Sequence, residues 1–527
     1  MFINALLLLL PFILFAGKRL LTYLHIYQQE EYDSPRFARW LWAKKAFDKR
    51  LSLHLVLAAL TVKILPLWLV LCATGLGFLV VALREKDPRK ASKKKLVMTA
   101  RAKRIFFIAW GLSTLSALWV FFTPTLLLVY LVNIHLIPVW LMVANALLAP
   151  HEARTQKKFW QEAHDKVRDI KPVIMGITGS FGKTSVKHIL GHILNMQAPT
   201  LITPGSVNTP MGITRIIRER LESRHRYFVV EMGAYGKGSI ARLCALTPPR
   251  IGIITAIGQA HYERFKTLDT VAEAKYELAE DVFSRAGKMI VHDTTTGFPA
   301  AQSLITQHPE AFVLCGENAG DALTIVSVTQ NAKGLDIALD WHGAPYTLTA
   351  PLYGTHHGGN IALAFATAMT LGLPAADIQT ALLSLPQIQH RLEVKPQADG
   401  TTLIDDAYNS NPVGFASALE LLPVLAGERG RKILVTPGMV ELGEAHDTAH
   451  EAMGRKAGAI CDIVLLVASD RIPSFIKGFK ETGGDKPLHT FPNFSTAQEW
   501  LLTHKQAGDV ILLENDLPDV YEAMLRI

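Results

Sequence analysis

The sequence predicts an α/β protein: a P-loop, doubly wound central domain plus a C-terminal α/β (Rossmann-like) domain, preceded by a helical transmembrane region. Three observations predict it. The long apolar runs all fall in the first 150 of 527 residues. The stretch Thr178-Gly179-Ser180-Phe181-Gly182-Lys183-Thr184-Ser185 follows an apolar strand and opens a helix. Beyond it, short β-rich runs alternate with helix-like segments to the end of the chain, the pattern of parallel sheets covered by helices.

The helical region comes first. A mean hydropathy of +0.21 with 49% hydrophobic residues is high for a soluble enzyme, and the excess sits in runs 2–16, 51–83, 105–122 and 125–149. A bilayer needs about 20 apolar residues per helix, so the last two runs qualify as spans, with Thr123-Pro124-Thr125 as the turn between them. Lys18 and Arg19 follow the first run, but no small-residue cleavage site does, and the helical pattern continues through Leu24. That predicts an uncleaved anchor rather than a signal peptide. Basic residues then set the topology. Lys44, Lys45, Lys49 and Arg50 precede Leu51; a dense series from Arg84 through Lys93, Lys94 and Arg104 follows Leu83; Arg154, Lys157 and Lys158 follow the last run. Short positive loops stay in the cytoplasm. Run 51–83 therefore enters and leaves from one face, as a compressed or re-entrant hairpin bent near Lys63 and Pro66, and 105–149 is a two-span hairpin. The expectation is a multi-pass protein of the cytoplasmic (inner) membrane, its remaining domains on the cytoplasmic side. Most of the net charge of +8 belongs to these loops, so anionic membrane lipid is the expected partner and nucleic acid is not. Cys72, Cys244, Cys315 and Cys461 show no metal-like spacing and are expected as reduced thiols.

A linker, 151–170, leads to the central domain, 171–374. Residues 173–177 predict a buried strand, and 186–196 a helix with Ile189, Leu190, Ile193 and Leu194 inward. Between them, glycines let backbone N–H groups close around phosphate oxygens at a helix N-terminus. Lys183 would reach the terminal phosphates and the Thr184 hydroxyl would hold Mg2+. Ile177 stands where the longer form of this loop has its first glycine. Strands follow at 227–232, 250–257 and 288–292, then a small antiparallel patch over 312–352 with turns at 331–334 and 341–343, then a helix over 360–371. Gly372-Leu373-Pro374 closes the domain. The last domain, 375–527, has strands near 403–404, 432–435, 463–467 and 510–513.

Several polar residues sit where a doubly wound sheet binds ligands, at the C-terminal strand ends. Glu231 ends the run Val-Val-Glu-Met-Gly and could hold Mg2+; the plainer alternative is an ordinary strand-end acid. His261 follows a strand in Ile-Gly-Gln-Ala-His, and a metal or phosphate role competes with a structural one. Lys275, taken alone, reads as a solvated helix lysine. Asp405-Asp406 and Tyr408-Asn409-Ser410-Asn411-Pro412 follow an apolar strand; they suit a nucleotide edge better than a turn with a helix cap.

Together these residues resemble the Mur ligase family, and within it the branch that adds D-alanyl-D-alanine to UDP-N-acetylmuramoyl-tripeptide. The motifs are T-G-S-F-G-K-T-S, E-M-G-A, the A-H and A-K-Y-E pair, G-T-H-H-G-G-N, H-R-L, D-D-A-Y-N-S-N-P and the G-M-x-E-L-G run from Gly438. The resemblance spans roughly 173–513. It implies an ATP-dependent amide ligase working through an acyl phosphate, with ATP and Mg2+ as cofactors. Thr178, Gly179, Ser180, Gly182, Lys183, Thr184 and Ser185 would then bind phosphates. Thr184, Glu231 and His261 would hold metal, and Lys275, as a carbamate formed with CO2, would add an anionic ligand. Asn360 would read adenine, Arg391 the phosphates and Asp406 the ribose, with Asn409 beside them; Lys183, His261 and Lys275 would be the catalytic set. The substrates implied are a lipid-linked or UDP-linked carboxylate precursor and an amino acid or dipeptide amine. Two departures bear on substrate: the helical region stands where the family has its UDP-binding domain, and Leu513-Glu514-Asn515-Asp516 stands where a lysine-glycine-serine motif is expected. The competing readings are a P-loop ATPase that drives its membrane region, and a Mur-like scaffold without ligase activity. The intact set of Lys183, Thr184, Glu231, His261 and Lys275 speaks against the scaffold.

Overall fold

The computed structural model describes residues 2–91, 95–122, 125–258, 265–318, 320–407, 410–428, 430–440 and 442–515. The expected turn at Thr123-Pro124, and Lys93, Lys94, His261, Tyr408, Asn409 and Asp516, lie outside them. The chain divides into two compact units, one drawn from residues 1–157 and the other from 158–516.

The first unit is helical. Its first helix, Phe2–Gln29, runs through Lys18, Arg19 and Leu24 without a break. Run 51–83 is two helices, Lys49–Thr61 and Leu67–Arg84, interrupted at 62–66. Pro66 caps the second of them, as expected of a residue that has no N–H to continue a helix. The halves fold back on each other, since a Cβ at Gly77 would lie 2.9 Å from His54 Nε2. Both ends of this hairpin are tied to the first helix. Arg19 Nη2 pairs with Asp48, one residue before the hairpin, at 3.0 Å, and Arg19 Nε lies 3.5 Å from Glu85, one residue after it. Thr22 Oγ1 donates to Glu85 at 2.5 Å. Phe12, Phe15, Phe78 and Tyr130 fill the interior, while Leu53, Ile64, Leu83, Trp119 and Phe122 point outward. Among the described residues three helices are long and apolar enough to cross a membrane: Leu6–Gln29, Leu67–Lys90 and Leu126–Ile170. The expected span 105–122 does not join them. It is divided between the helix Ala100–Ala117, whose first turns carry Arg101, Lys103 and Arg104, and the 3-10 turn Leu118–Phe122. The helix Leu126–Ile170 continues through the residues expected as a linker.

The second unit holds two sheets. The central one contains β1 (Val173–Thr178), β2 (Thr200–Ile202), β3 (Tyr227–Glu231), β4 (Ile251–Ile254), β5 (Lys288–His292), β6 (Phe312–Gly316), β7 (Leu323–Asn331), β8 (Gly334–Trp341) and β9 (Ala344–Ala350), in the order β2-β3-β1-β4-β5-β6-β7-β8-β9. The pairs from β2 through β7 are parallel, and β7-β8-β9 antiparallel. The expected antiparallel patch is therefore smaller and continuous with the main sheet: Phe312–Gly316 joins the parallel side because it pairs with β5. β1 is fully interior in the sheet, and the helix after it, Lys183–Gln197, buries Ile189, Leu190, Ile193 and Leu194 as the pattern predicts. The second sheet contains β10 (Glu393–Pro396), β11 (Thr402–Asp406), β12 (Lys432–Thr436), β13 (Ile463–Val467), β14 (Leu488–Phe491) and β15 (Val510–Glu514), ordered β10-β11-β15-β12-β13-β14 and parallel except for β10. The helix Ala375–Leu383, expected with the last domain, buries Ile378, Ala381 and Leu382 in the central core, which continues through Leu385 and Ile388. Its apolar face at i, i+3 and i+4 has its partner there.

Candidate functional site

The loop after β1 turns twice through positive φ, at Gly179 (151°) and Gly182 (81°). Neither position has room for a side chain. A Cβ at Gly179 would lie 2.0 Å from Thr255 Oγ1, and one at Gly182 2.5 Å from Asn360 Oδ1. Glycine at these points lets the loop close against the end of β4 and against Asn360. Lys183 Nζ donates to the carbonyls of Gly179 at 2.5 Å and Ser180 at 3.1 Å. The residue keeps part of its surface, but its ammonium end is enclosed, and that burial lowers its pKa.

Glu231 closes β3 beside this loop, in register with Ile177 of β1. Only 1% exposed, it collects three side-chain donors. Oε2 accepts from Thr184 Oγ1 at 2.9 Å and from Lys187 Nζ at 2.8 Å; Oε1 accepts from Asn208 Nδ2 at 3.1 Å. Burial pushes its carboxyl up, but Lys187 and Lys183 outweigh it and hold the group below its ordinary value. Lys187 is missing from the sequence-derived set. It sits one turn after Lys183 on the same helix, so the i, i+4 spacing was the available signal. In the sequence it looks like any helix lysine, yet it is completely buried.

Ser180 to Ser185, Glu231, Asn360, Arg391, Asp406 and Ser410 line one cavity of about 540 Å³. Residues expected on two sides of a nucleotide, Lys183 and Asn360 from the first sheet's domain, Arg391 and Asp406 from the second's, thus meet at one space. Asn360 is nearly buried, its Nδ2 3.3 Å from the His356 carbonyl oxygen. His356, at about 4, and His357, well below its usual range, are pushed down by burial and are neutral at pH 7. Thr178 and Gly179 do not line the cavity. Thr178 is buried at the end of β1, its carbonyl accepting from Thr255 N at 3.0 Å. Lys275 also lies off the cavity wall, on the helix Leu268–Phe283 and 4% exposed. Burial, and secondarily the Lys183 charge, puts its pKa well below that of an ordinary lysine, which rules out the solvated-lysine reading. His261 and Asn409 lie outside the described residues.

Asp405 and Asp406 part company. Asp405 accepts from Lys395 Nζ at 2.8 Å and lies 2.9 Å from His390 Nδ1. His390, Glu393 and Asp405 are close enough together to hold a metal, but the Lys395 ammonium, 2.8 Å from Glu393 as well, already supplies the cation. Asp406 turns the other way, toward the cavity, with Oδ1 accepting from Leu392 N at 3.2 Å.

Loop, strand-end acid and facing second domain define a two-domain α/β protein built around a phosphate-loop architecture. Residues 177–368 match the Mur ligase middle domain and 390–514 the Mur ligase, glutamate ligase domain, together more than half of the chain; through these two domains the protein belongs to the Mur ligase family. It is similar to the UDP-N-acetylmuramoyl-tripeptide–D-alanyl-D-alanine ligases of Mycobacterium tuberculosis, 31% identical over 289 residues (54% of this chain, 56% of that one), and Escherichia coli K12, 29% identical over 315 residues (59% and 68%). The match spans little more than half the length of the mycobacterial enzyme. Among solved structures, MurF from Acinetobacter baumannii superposes with a TM-score of 0.59 at 25% identity, covering 70% of this chain and 78% of that one. MurF ligase from Thermotoga maritima in complex with ADP has the same fold, with a TM-score of 0.58 at 24% identity over 70% and 81%.

Proposed function

We propose that this protein is a membrane-anchored, ATP-dependent amide ligase of cell-wall precursor or related envelope synthesis, forming an acyl phosphate on a substrate carboxylate and passing the acyl group to an amine. The observation that carries it is the cavity on which Lys183, Thr184 and Glu231 converge with Arg391 and Asp406. The residues fit the nucleotide and metal. The glycine turns leave no room for side chains where backbone must approach phosphate, and a carboxylate beside a hydroxyl is an oxygen donor set suited to Mg2+. Bound there, Mg2+ would neutralise phosphate charge.

The chain's own residues would divide the work. Lys183 and the loop amides orient the phosphates, with Lys187 fixing Glu231 beside Thr184. Asn360 meets the base, Arg391 the phosphates and Asp406 the ribose. Enclosed between two domains, the acyl phosphate is shielded from water. Lys275, whose burial lowers its pKa well below that of an ordinary lysine, is poised to take up CO2 as a carbamate with release of a proton, since only the free amine reacts. His261 completes the metal set in this reading.

Substrates follow the relatives' names by analogy: a muramoyl-peptide carboxylate, UDP-linked or lipid-linked, and an amino acid or dipeptide amine. The outward apolar side chains of the helical unit and its three long apolar helices support a bilayer setting, and its basic loops support a cytoplasmic face for the catalytic domains. The test uses the full chain purified in detergent with ATP, D-alanyl-D-alanine and either precursor, followed by mass spectrometry. Expected is ADP release that requires the amine and yields an amide product. ATP hydrolysis at one rate with or without amine and precursor would overturn the ligase reading in favour of a coupled ATPase.

A further inference from the structure

Behind Asp406 lies a second acid. β11 and β15 run parallel with Asp406 beside Glu514, each the last residue of its strand. Asp406 is 7% exposed and Glu514 not at all. The Ser410 hydroxyl donates to Glu514 Oε1, and the Glu514 and Asp406 carboxyl groups are within hydrogen-bonding reach of each other. Glu514 Oε2 has no conventional donor. Two carboxylates own no hydrogen between them, so a bond joining them requires that one carry a proton. The charged groups near the pair are few among the described residues. Arg391 attracts Asp406 and Asp405 repels it, while Glu514 faces only Asp406.

We propose that Glu514 is a positioning residue for the nucleotide edge: as a neutral acid it donates its proton to Asp406, holding that carboxylate toward the cavity. The proposal rests on the reading that Asp406 faces a ribose. Asp406 borders the cavity and Glu514 does not, so Glu514 acts through its neighbour. A carboxylate has about four acceptor positions. The Leu392 N–H and the Glu514 proton occupy two and fix the plane, leaving capacity for a vicinal diol. Burial raises both groups: Asp406 to about 6, with Arg391 opposing, and Glu514 well above the usual carboxylate range, with Asp406 adding to the rise. When the shared proton leaves at higher pH, two adjacent buried anions repel and Asp406 loses its orientation.

Calorimetric titration of the full-length protein with ADP from pH 6 to 10 tests this, with inorganic tripolyphosphate as the ribose-free probe. Loss at the alkaline end that tripolyphosphate shares reads Lys183, whose pKa is also lowered; beyond it, wild type should lose about tenfold in ADP affinity, the worth of one charge-assisted hydrogen bond. Glu514→Gln, which keeps a donor but cannot ionise, should bind within about threefold of wild type at neutral pH and show no alkaline loss beyond that seen with tripolyphosphate. Glu514→Ala should be about tenfold weaker throughout, and tripolyphosphate should bind all three alike. A Gln variant with the wild-type alkaline limb, or an Ala variant as tight as wild type, would overturn the role of Glu514 while leaving nucleotide binding intact. No ADP binding by wild type, or equal binding by Lys183→Ala, would instead overturn the nucleotide reading and this proposal with it.

Discussion

Glu231 and Asp406 occupy equivalent places on the two sides of the cavity. Each ends a parallel strand, each is more than nine-tenths buried, and each faces the same space. Their surroundings are opposite. Glu231 receives an ammonium group at 2.8 Å and two neutral donors, and is held anionic. Asp406 receives one backbone N–H and a second carboxyl group, and its pKa rises. The difference originates in which element supplies the neighbour. The helix after the phosphate loop brings a second lysine one turn beyond the first, whereas the register of β11 with β15 brings an acid. In the proposed function, the side that would handle phosphate and metal carries fixed charge of both signs, and the side that would meet hydroxyl groups carries an oriented acceptor with little net charge.

The largest expected break in this comparison comes from the loop lysine. Lys183→Ala should weaken ADP binding by about 2–5 kcal/mol, roughly 30-fold or more, as truncating one member of a buried charge pair does; calorimetry on a folded variant checks it. Lys187→Met strikes the same side through stability. Glu231 would be left buried beside fewer cations, costing about 3–5 kcal/mol, and the double variant with Glu231→Gln should recover part of that in urea unfolding. A third test uses pH. Glu231, held below its ordinary value, contributes stability above about pH 4.5 that is lost as pH falls through its depressed pKa. Asp406, raised from 3.8 to about 6, contributes stability present below pH 3.8 that is lost as pH rises through about 6. Stability measured by unfolding across pH 4 to 8 should therefore decline as pH rises to about 6 in wild type, and less in Asp406→Asn. The smallest effect belongs to Lys395→Met, at the part-exposed cluster with Glu393 and Asp405, with a stability change of about 1 kcal/mol or less.

Much of the phosphate-loop side was legible because it is written in backbone requirements: glycines at the turns, an apolar strand before them, an acid at the end of β3. Lys187 was not, since burial of a helix lysine depends on the strand it meets. Glu514 stands out in the sequence only as a departure from a motif. Its partner lies on another strand, and parallel register is a property of the folded sheet. A different limit explains β2, β10 and β14, absent from the expected strands because three or four residues carry too little periodicity. Pro374 looks like a linker signal, yet the helix it begins belongs with the central core. Asn360, Arg391 and Asp406 came from family resemblance, and the structure brings all three to one cavity.

In the helical unit, the contacts of Arg19 with Asp48 and Glu85 have a consequence for biosynthesis. The three charges leave the ribosome in order, cation first, one anion next, the second anion last. Arg19 can engage Asp48 while the hairpin is still being made, but its second partner exists only after Arg84 has been added. Glu85 thus acts as a latch that closes behind a finished hairpin. A nascent chain arrested before it would hold its two helices by apolar packing and the Asp48 ion pair alone.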